Sequence, residues 1–549
     1  MKADLEFIDF IKKLKGNLGK TDWITIFSNS PEIENSEQGA YFCALISNDK
    51  VNTVLENYSW ELHIGDGCPG FSSYFEDGKE IMEYHRFWMD GIEPFVYRRT
   101  FHGLKPDYLE VSEEFRLCFN LFEQRNSDDT VALLHVDDNG DDVEVVKILK
   151  NEVKVRLKFI KEYLSVRNMC LVVYFDFMRF SEEKPSVLVL SKKDDIETQI
   201  EENDIRARLV VRDMNFSKNN FQGWIMGKKI ICGLPNFKPG IFWPSENKEI
   251  FEKFIIGVDE NGKEIISICD EEKLNNYFGK NKKSPHYLTP VFFKKEVLKK
   301  YYDNPEKYNV QDGNITCGGL WSLRLDNNHS EYVVVFLGDL GHLVYKEQVY
   351  WKSFNVAHQG GISQTMWKRG FMAEFANPEQ PDLYFKYRYE EFQREWFKKF
   401  GWYLFKPLSE KDGHHYKSLH LPVSENQKEF DEQILSIVKI IIDSINEKEI
   451  VRVICFDEGM KSISKLEKFI FKKAGNFKEM FEFLRNLQLL RSVSIAHRKS
   501  EKNKDYKKAC EFFGIGKKKL PDVFADILIK TIWVLNTIES KFLKSEENK

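Results

Sequence analysis

The sequence predicts an α+β protein in two parts, a large, mixed, strand-rich body followed by an all-α C-terminal helical bundle. Three observations predict it. Short runs of β-branched and aromatic residues, bounded by Gly, Asn, Asp or Pro, recur from the N-terminus to about residue 420. Two Asn-Gly pairs, Asn139-Gly140 and Asn261-Gly262, each separate two such runs, and Asn-Gly readily takes the left-handed dihedrals of a tight hairpin. From Ser424 onward the texture changes to apolar residues at helical spacing.

Bulk properties narrow the function classes. A chain of 549 residues holds more than one domain, because single cores rarely grow past roughly 250 residues. With 42% apolar, 30% charged and only 16 proline residues, it can bury enough surface to offset its ordering entropy. A net charge of −5 excludes a protein coated in positive potential and leaves nucleic-acid binding to a local patch. The nine cysteines form no CxxC pair and no zinc-ligand spacing, so the expectation is reduced thiols, no disulfide framework and no metal. The N-terminal MKADLEFIDFIKKLKG lacks a signal-peptide core, and no window approaches the ~18 apolar residues of a membrane span. A cytoplasmic protein without a membrane partner is expected.

The first segment, residues 1–215, reads as an α+β strand-rich domain. Its candidate strands include 23–27, 41–46, 60–64 and 95–99, the hairpin 131–136 with 143–148, a helix at 159–166 and a strand at 170–176. Residues 216–420 read as a second α+β domain of the same texture, expected to pack on the first, with the hairpin 254–259 and 263–268 and a strand at 332–337. Phe392, Trp396, Phe397 and Phe400 share a helical stripe expected to pack on the body.

The third segment, residues 424–549, reads as the bundle. Ser424 with Gln427 has the form of a capping box, opening a helix with Phe430, Ile434, Ile437, Val438, Ile441 and Ile445 on one face. Leu435, Ile440 and Ile442 widen that face, so it calls for cover on more than one side, including a second copy of the chain. A second helix at 460–473 stops at Gly475. Asn476 with Glu479 opens a third, a fourth lies near 505–513, and the last runs from Pro521 to about Phe542. Short links between such helices imply an up-and-down arrangement.

The third helix carries one residue out of place. At 100° per residue, with Leu484 as zero, Phe477, Met480, Phe481, Leu487 and Ile495 fall within about 60°, and Arg491 falls at about −20°. A guanidinium on an apolar stripe needs an acidic partner, a cleft or a phosphate. His497 follows six residues later, roughly 120° away on an unbroken helix.

Arg491-Ser492, then three residues, then Ala496-His497, at the end of the third helix of a C-terminal bundle, resembles the R-x4-6-H motif of the HEPN superfamily. Many of its members are metal-independent ribonucleases of toxin, antiphage and abortive-infection systems. The resemblance covers about residues 424–549. It implies a homodimer or higher homo-oligomer in which two motifs line one cleft, RNA as the partner, and no cofactor. His497 would then be general acid or base, and Arg491 would hold the scissile phosphate and stabilise its added charge. The RNA's own 2′-hydroxyl would be the nucleophile, leaving a 2′,3′-cyclic phosphate. The position after the arginine, often Asn, Asp or His in such enzymes, is Ser492, which can hydrogen-bond a phosphate but takes no proton at neutral pH. A β-rich body ahead of the bundle resembles the arrangement in which the body senses a phage-derived trigger. The alternative is a non-catalytic nucleic-acid- or protein-binding defence protein whose bundle serves dimerisation.

After His497 the charge turns basic. Arg498, Lys499, Lys502, Lys504, Lys507 and Lys508, with Lys517, Lys518 and Lys519, outnumber Glu501, Asp505 and Glu511, a patch able to steer an RNA backbone. A solvated lysine face is the plainer account. Other candidates are weaker. Arg324 with His329 matches the same spacing but lies among turns. The loops at Gly338–Asp339 and Gly360-Gly361 lack a phosphate-loop lysine, and Asp412, His414, His415 and His420 read as a polar interdomain loop before they read as a metal site. Asp176, at a strand end, has no downstream acid-x-lysine partner.

Overall fold

The computed structural model describes residues 21–34, 37–59, 69–87, 91–214, 221–235, 250–358, 360–453, 459–495 and 504–544. The chain divides into two units, Met1–Asp137 with Asp141–Lys248, and Glu249–Lys549 with Asp138–Gly140. Both Asn-Gly hairpins form: Val131–Val136 pairs with Asp142–Ile148, and Lys253–Val258 with Glu264–Ile268. Gly140 and Gly262 carry the positive φ, +73° and +77°, that these turns require.

The first unit is built on one large antiparallel sheet. Its strands are β1 (Trp23–Glu34), β2 (Glu37–Ser47), β3 (Ile92–Pro94), β4 (Phe122–Arg125), β5 (Val131–Val136), β6 (Asp142–Ile148), β7 (Glu152–Arg156), β8 (Met169–Ser181), β9 (Asp195–Glu202), β10 (Ile205–Asp213) and β11 (Phe221–Cys232). They run in the order β9-β10-β11-β8-β2-β1-β7-β6-β5-β4, with β3 paired to the far end of β2. Strand β8 lies at the middle, its first seven residues buried. Leu171 and Val173 face one core with Ile160 and Leu164 of helix α1 (Leu157–Arg167), while Cys170 and Val172 face a second core with Ala44, Ile46 and Ile230, as the period of two dictates.

Three sequence expectations change here. Strand β11 continues this sheet, so the unit extends past residue 215 to Lys248. Cys170 and Cys232 stand opposite each other in β8 and β11, with Cα atoms 4.4 Å apart, and form a disulfide where thiols were expected. Their separation of 62 residues hid a pairing that only strand register creates. Asp176 lies inside β8, not at its end, and accepts hydrogen bonds from Trp224 Nε1 at 2.7 Å and the Tyr174 hydroxyl at 3.1 Å, which accounts for it structurally.

In the second unit, two three-stranded sheets precede the helices. Pro290–Lys294 lies between Tyr332–Phe336 and Asn355–Val356, and Asn314–Cys317 lies between Tyr308–Gln311 and Trp321–Arg324. They share a core that includes Phe254, Phe293, Tyr301 and Trp351.

The helical region comprises α2 (Pro381–Phe400), α3 (Gly413–Lys417), α4 (Gln427–Val438), α5 (Glu447–Val453), α6 (Ser462–Ala474), α7 (Lys478–Ile495), α8 (Lys504–Phe513) and α9 (Leu520–Phe542). It therefore begins at Pro381, well before Ser424. Phe385, Tyr389, Phe392 and Trp396 of α2, spaced four, three and four, share one core with Phe430, Ile434, Leu466, Leu484, Phe524 and Leu535. Arg388 of α2 pairs with Glu539 of α9 and donates to Asn536 Oδ1 at 2.8 Å. Phe397 and Phe400, expected to pack on the body, remain exposed at the edge of this stripe.

The cap of α4 also shifts. Asn426 Oδ1 accepts the Lys428 N–H at 2.8 Å, while the Ser424 hydroxyl donates to Glu429 Oε2 at 2.8 Å and Gln427 donates to Asp431. Beyond Val438, α4 widens into a π-helical turn, Lys439–Asp443. Gly475 ends α6 and carries a positive φ of +98°, but with ψ at −169° it lies outside the left-handed helical region that a glycine cap was expected to take. Among the described residues no helix is long and apolar enough to cross a membrane.

Candidate functional site

Helix α7 buries Met480, Phe481, Phe483, Leu484, Leu487 and Leu490. Arg491 falls within that apolar sector by helical angle, but it sits near the end of the helix, where a long side chain can carry its head to the edge of the core. Its side chain is 26% exposed, and Nη1 donates to Asp443 Oδ1 at 3.1 Å, with Asp443 itself 30% exposed. This is the acidic partner that the sequence position demanded.

Asp443 is the last residue of the π-helical turn, a widened geometry often associated with functional positions. Lys439 and Asp443 lie four residues apart, about one turn along the same side of that segment. Lys439 Nζ reaches Asp412 Oδ1 at 3.5 Å, and the Ser409 hydroxyl donates to Asp412 Oδ2 at 2.9 Å. The short helix α3 follows at once and carries His414 and His415, their rings 4.0 Å apart. Three elements thus gather Asp412, His414, His415, Lys439, Asp443 and Arg491 around one edge of the bundle.

The charges are ordered. The Ser409 hydroxyl, and then Lys439, hold the Asp412 carboxyl below its usual range. Burial, helped by His414 and Lys439 and opposed by Asp412 and Asp443, pushes His415 down to about 4, so it is neutral at neutral pH. Its Nδ1 lies 3.0 Å from the Ser436 hydroxyl. His414 Nδ1 lies 2.8 Å from the Lys411 carbonyl oxygen, which can only accept. Nδ1 therefore carries hydrogen, and Nε2 of the neutral ring is the basic nitrogen.

The sequence candidates are distributed unevenly around this edge. Ser492, exposed on α7, gives its hydroxyl to the Gln488 carbonyl at 2.8 Å, a bond back into its own helix. His497, Arg498, Lys499 and Lys502 lie outside the described residues, as does the side chain of Lys504 at the start of α8. Lys507 and Lys508 are exposed on α8, which packs on α7 through the Phe483–Phe513 ring contact at 6.0 Å. Lys518 is held by Asp526 at 2.6 Å.

His420 separates from the other histidines. It is buried, its ring lies parallel to Tyr302 at 3.9 Å, and its Nε2 meets Glu429 Oε1 at 3.1 Å. Among the described residues, no group of three or more His, Cys, Asp or Glu side chains could hold a metal ion. In the first unit, a cleft of about 860 Å³ is lined in part by Arg86, Arg98, Arg99 and Arg116. These pair with Glu114, Asp107, Glu110 and Glu123, so its positive charge is neutralised.

Lys439 and Asp443 were not singled out in the sequence, although two charges one turn apart in the run Lys-Ile-Ile-Ile-Asp were a signal. The chain matches no protein-family model, no curated protein and no solved structure.

Proposed function

We propose that the helical region is a metal-independent endoribonuclease of the HEPN kind, and that the strand-rich body recruits or senses its trigger, a phage-derived one by analogy of architecture. The observation that carries this reading is Arg491, a guanidinium at the edge of an apolar core, anchored by Asp443 and open to solvent. So fixed, it can present its fork to a phosphodiester without the entropy cost of a free side chain. His497 serves as general acid or base and Ser492 hydrogen-bonds the phosphate. Arg498, Lys499, Lys502, Lys504, Lys507 and Lys508 draw in the RNA backbone. The enzyme works in the cytoplasm as a homodimer that brings two such edges together.

The test is cleavage of single-stranded RNA by the purified full-length protein in excess chelator, with 2′,3′-cyclic phosphate ends. His497→Ala and Arg491→Lys are expected to lower kcat by about 10²-fold or more at unchanged melting temperature. Cleavage of an all-deoxy substrate, or full activity in His497→Ala, overturns the reading.

Two observations favour a second reading, a binding protein that dimerises through its bundle. Asp443 already neutralises Arg491, and the Ser492 hydroxyl is bonded to its own helix. On that reading RNA binds without turnover and Arg491→Lys changes only stability.

A further inference from the structure

The site as read from sequence relies on one titrating residue, His497, yet the fold brings a second imidazole to the same edge. We propose that His414 is the general base of the RNA cleavage assigned above to the bundle, an inference that rests on that reading. Three observations support it. Lys439 and Asp443 lie on one side of the π-helical turn, the first tied to Asp412 and the second to Arg491, so the segment just before His414 and the phosphate-binding arginine flank the same few ångströms of backbone. The Lys411 carbonyl fixes the tautomer of His414, leaving Nε2 as the basic nitrogen. The other imidazole, His415, is buried, bonded to Ser436 and held neutral, so it supports the His414 ring and takes no part in proton transfer.

His414 has the Lys411 carbonyl and Asp412 in its own segment and the His415 ring beside it, and His415 in turn feels Lys439 and Asp443 of the π-helical turn. Asp412 and Lys439 cancel in charge, as do Asp443 and Arg491, so the two pairs add no net charge to this edge. In the step, His414 Nε2 takes the 2′-hydroxyl proton while O2′ bonds to the phosphorus held by Arg491. The P–O5′ bond breaks, and O5′ takes up a proton from the general acid, the role left to His497 in the reading above; solvent then restores that proton and accepts the one held by His414. Neither metal nor oxidant enters the balance.

The experiment compares wild type, His414→Ala and His414→Gln as full chains on a fluorogenic single-stranded RNA in chelator from pH 5 to 9, with melting curves as the check on folding. In His414→Ala, kcat is expected to fall by about 10²–10⁴-fold while KM stays within about threefold. The rise of rate with pH shown by the wild type disappears, and added imidazole restores part of the rate. His414→Gln keeps the side chain's bulk and shows the same loss without rescue. Variants within about threefold of wild type, with its pH profile intact, overturn the role of His414 and leave the ribonuclease reading standing. Absence of cleavage by the wild type overturns that reading, and this role with it.

Discussion

Two pairs of a basic side chain and a carboxylate stand at opposite ends of α4 and its π-helical extension. At the first turn, His420 meets Glu429 with both side chains only 4% exposed. At the far end, Arg491 meets Asp443 with 26% and 30% exposed. The first pair is closed: Glu429 also accepts the Val423 N–H and the Ser424 hydroxyl, and Tyr302 covers the His420 ring. No part of it is offered to a ligand. The second pair neutralises its charge and still faces solvent. Burial thus separates a pair that holds the fold from one that can serve chemistry, although both rest on the same helix.

The comparison breaks most severely if Glu429 proves dispensable. Glu429→Ala leaves the buried His420 ring, the Val423 N–H and the Ser424 hydroxyl without their common partner and is expected to cost about 3–5 kcal/mol, at about 1–3 kcal/mol for each unsatisfied group, read as a lower urea midpoint. Acid offers a milder version. Burial alone raises the Glu429 carboxyl, but hydrogen bonds from His420, Val423 and Ser424 prevail and hold it at about 2. Its pKa in the folded chain is depressed, so its contribution is present above the unfolded value near 4.3 and is lost as pH falls toward 2. Roughly 3 kcal/mol should disappear across that window, and Glu429→Gln should flatten the loss in urea titrations at stepped pH. The smallest effect sharpens the other side. Asp443→Asn should change stability by less than about 1 kcal/mol, as half-exposed pairs do, yet lower kcat/KM about tenfold because Arg491 loses its anchor. Equal losses of stability at Glu429 and Asp443 would erase the distinction.

Local chemistry was legible in the sequence. The two Asn-Gly hairpins, the stop at Gly475 and the α7 position of Arg491 each follow from a few neighbouring residues. What could not be read is what only the fold brings together. The stripe on α2 announced burial but not its cover, which turned out to be Phe430, Leu466 and Phe542 rather than the body. Ser424 and Asn426 are both good caps two residues apart, and the choice fell to Asn426 because Glu429 claims the serine hydroxyl. Arg491 declared its need for an acid, while the supplier, Asp443, lies 48 residues away behind a change of helix type that no periodicity of 3.6 foreshadows.

That change of helix type leaves the segment with slack in one direction only. A π-helical turn holds about one residue more than an α-helical turn. Removing one isoleucine between Lys439 and Asp443 would let the segment relax to ordinary α geometry with Asp443 still turned toward Arg491, because four residues at about 100° turn nearly as far as five π-helical ones. Adding one residue there has no such outlet and would carry Asp443 round by about 100°, away from Arg491, while the apolar character of the helix stayed the same.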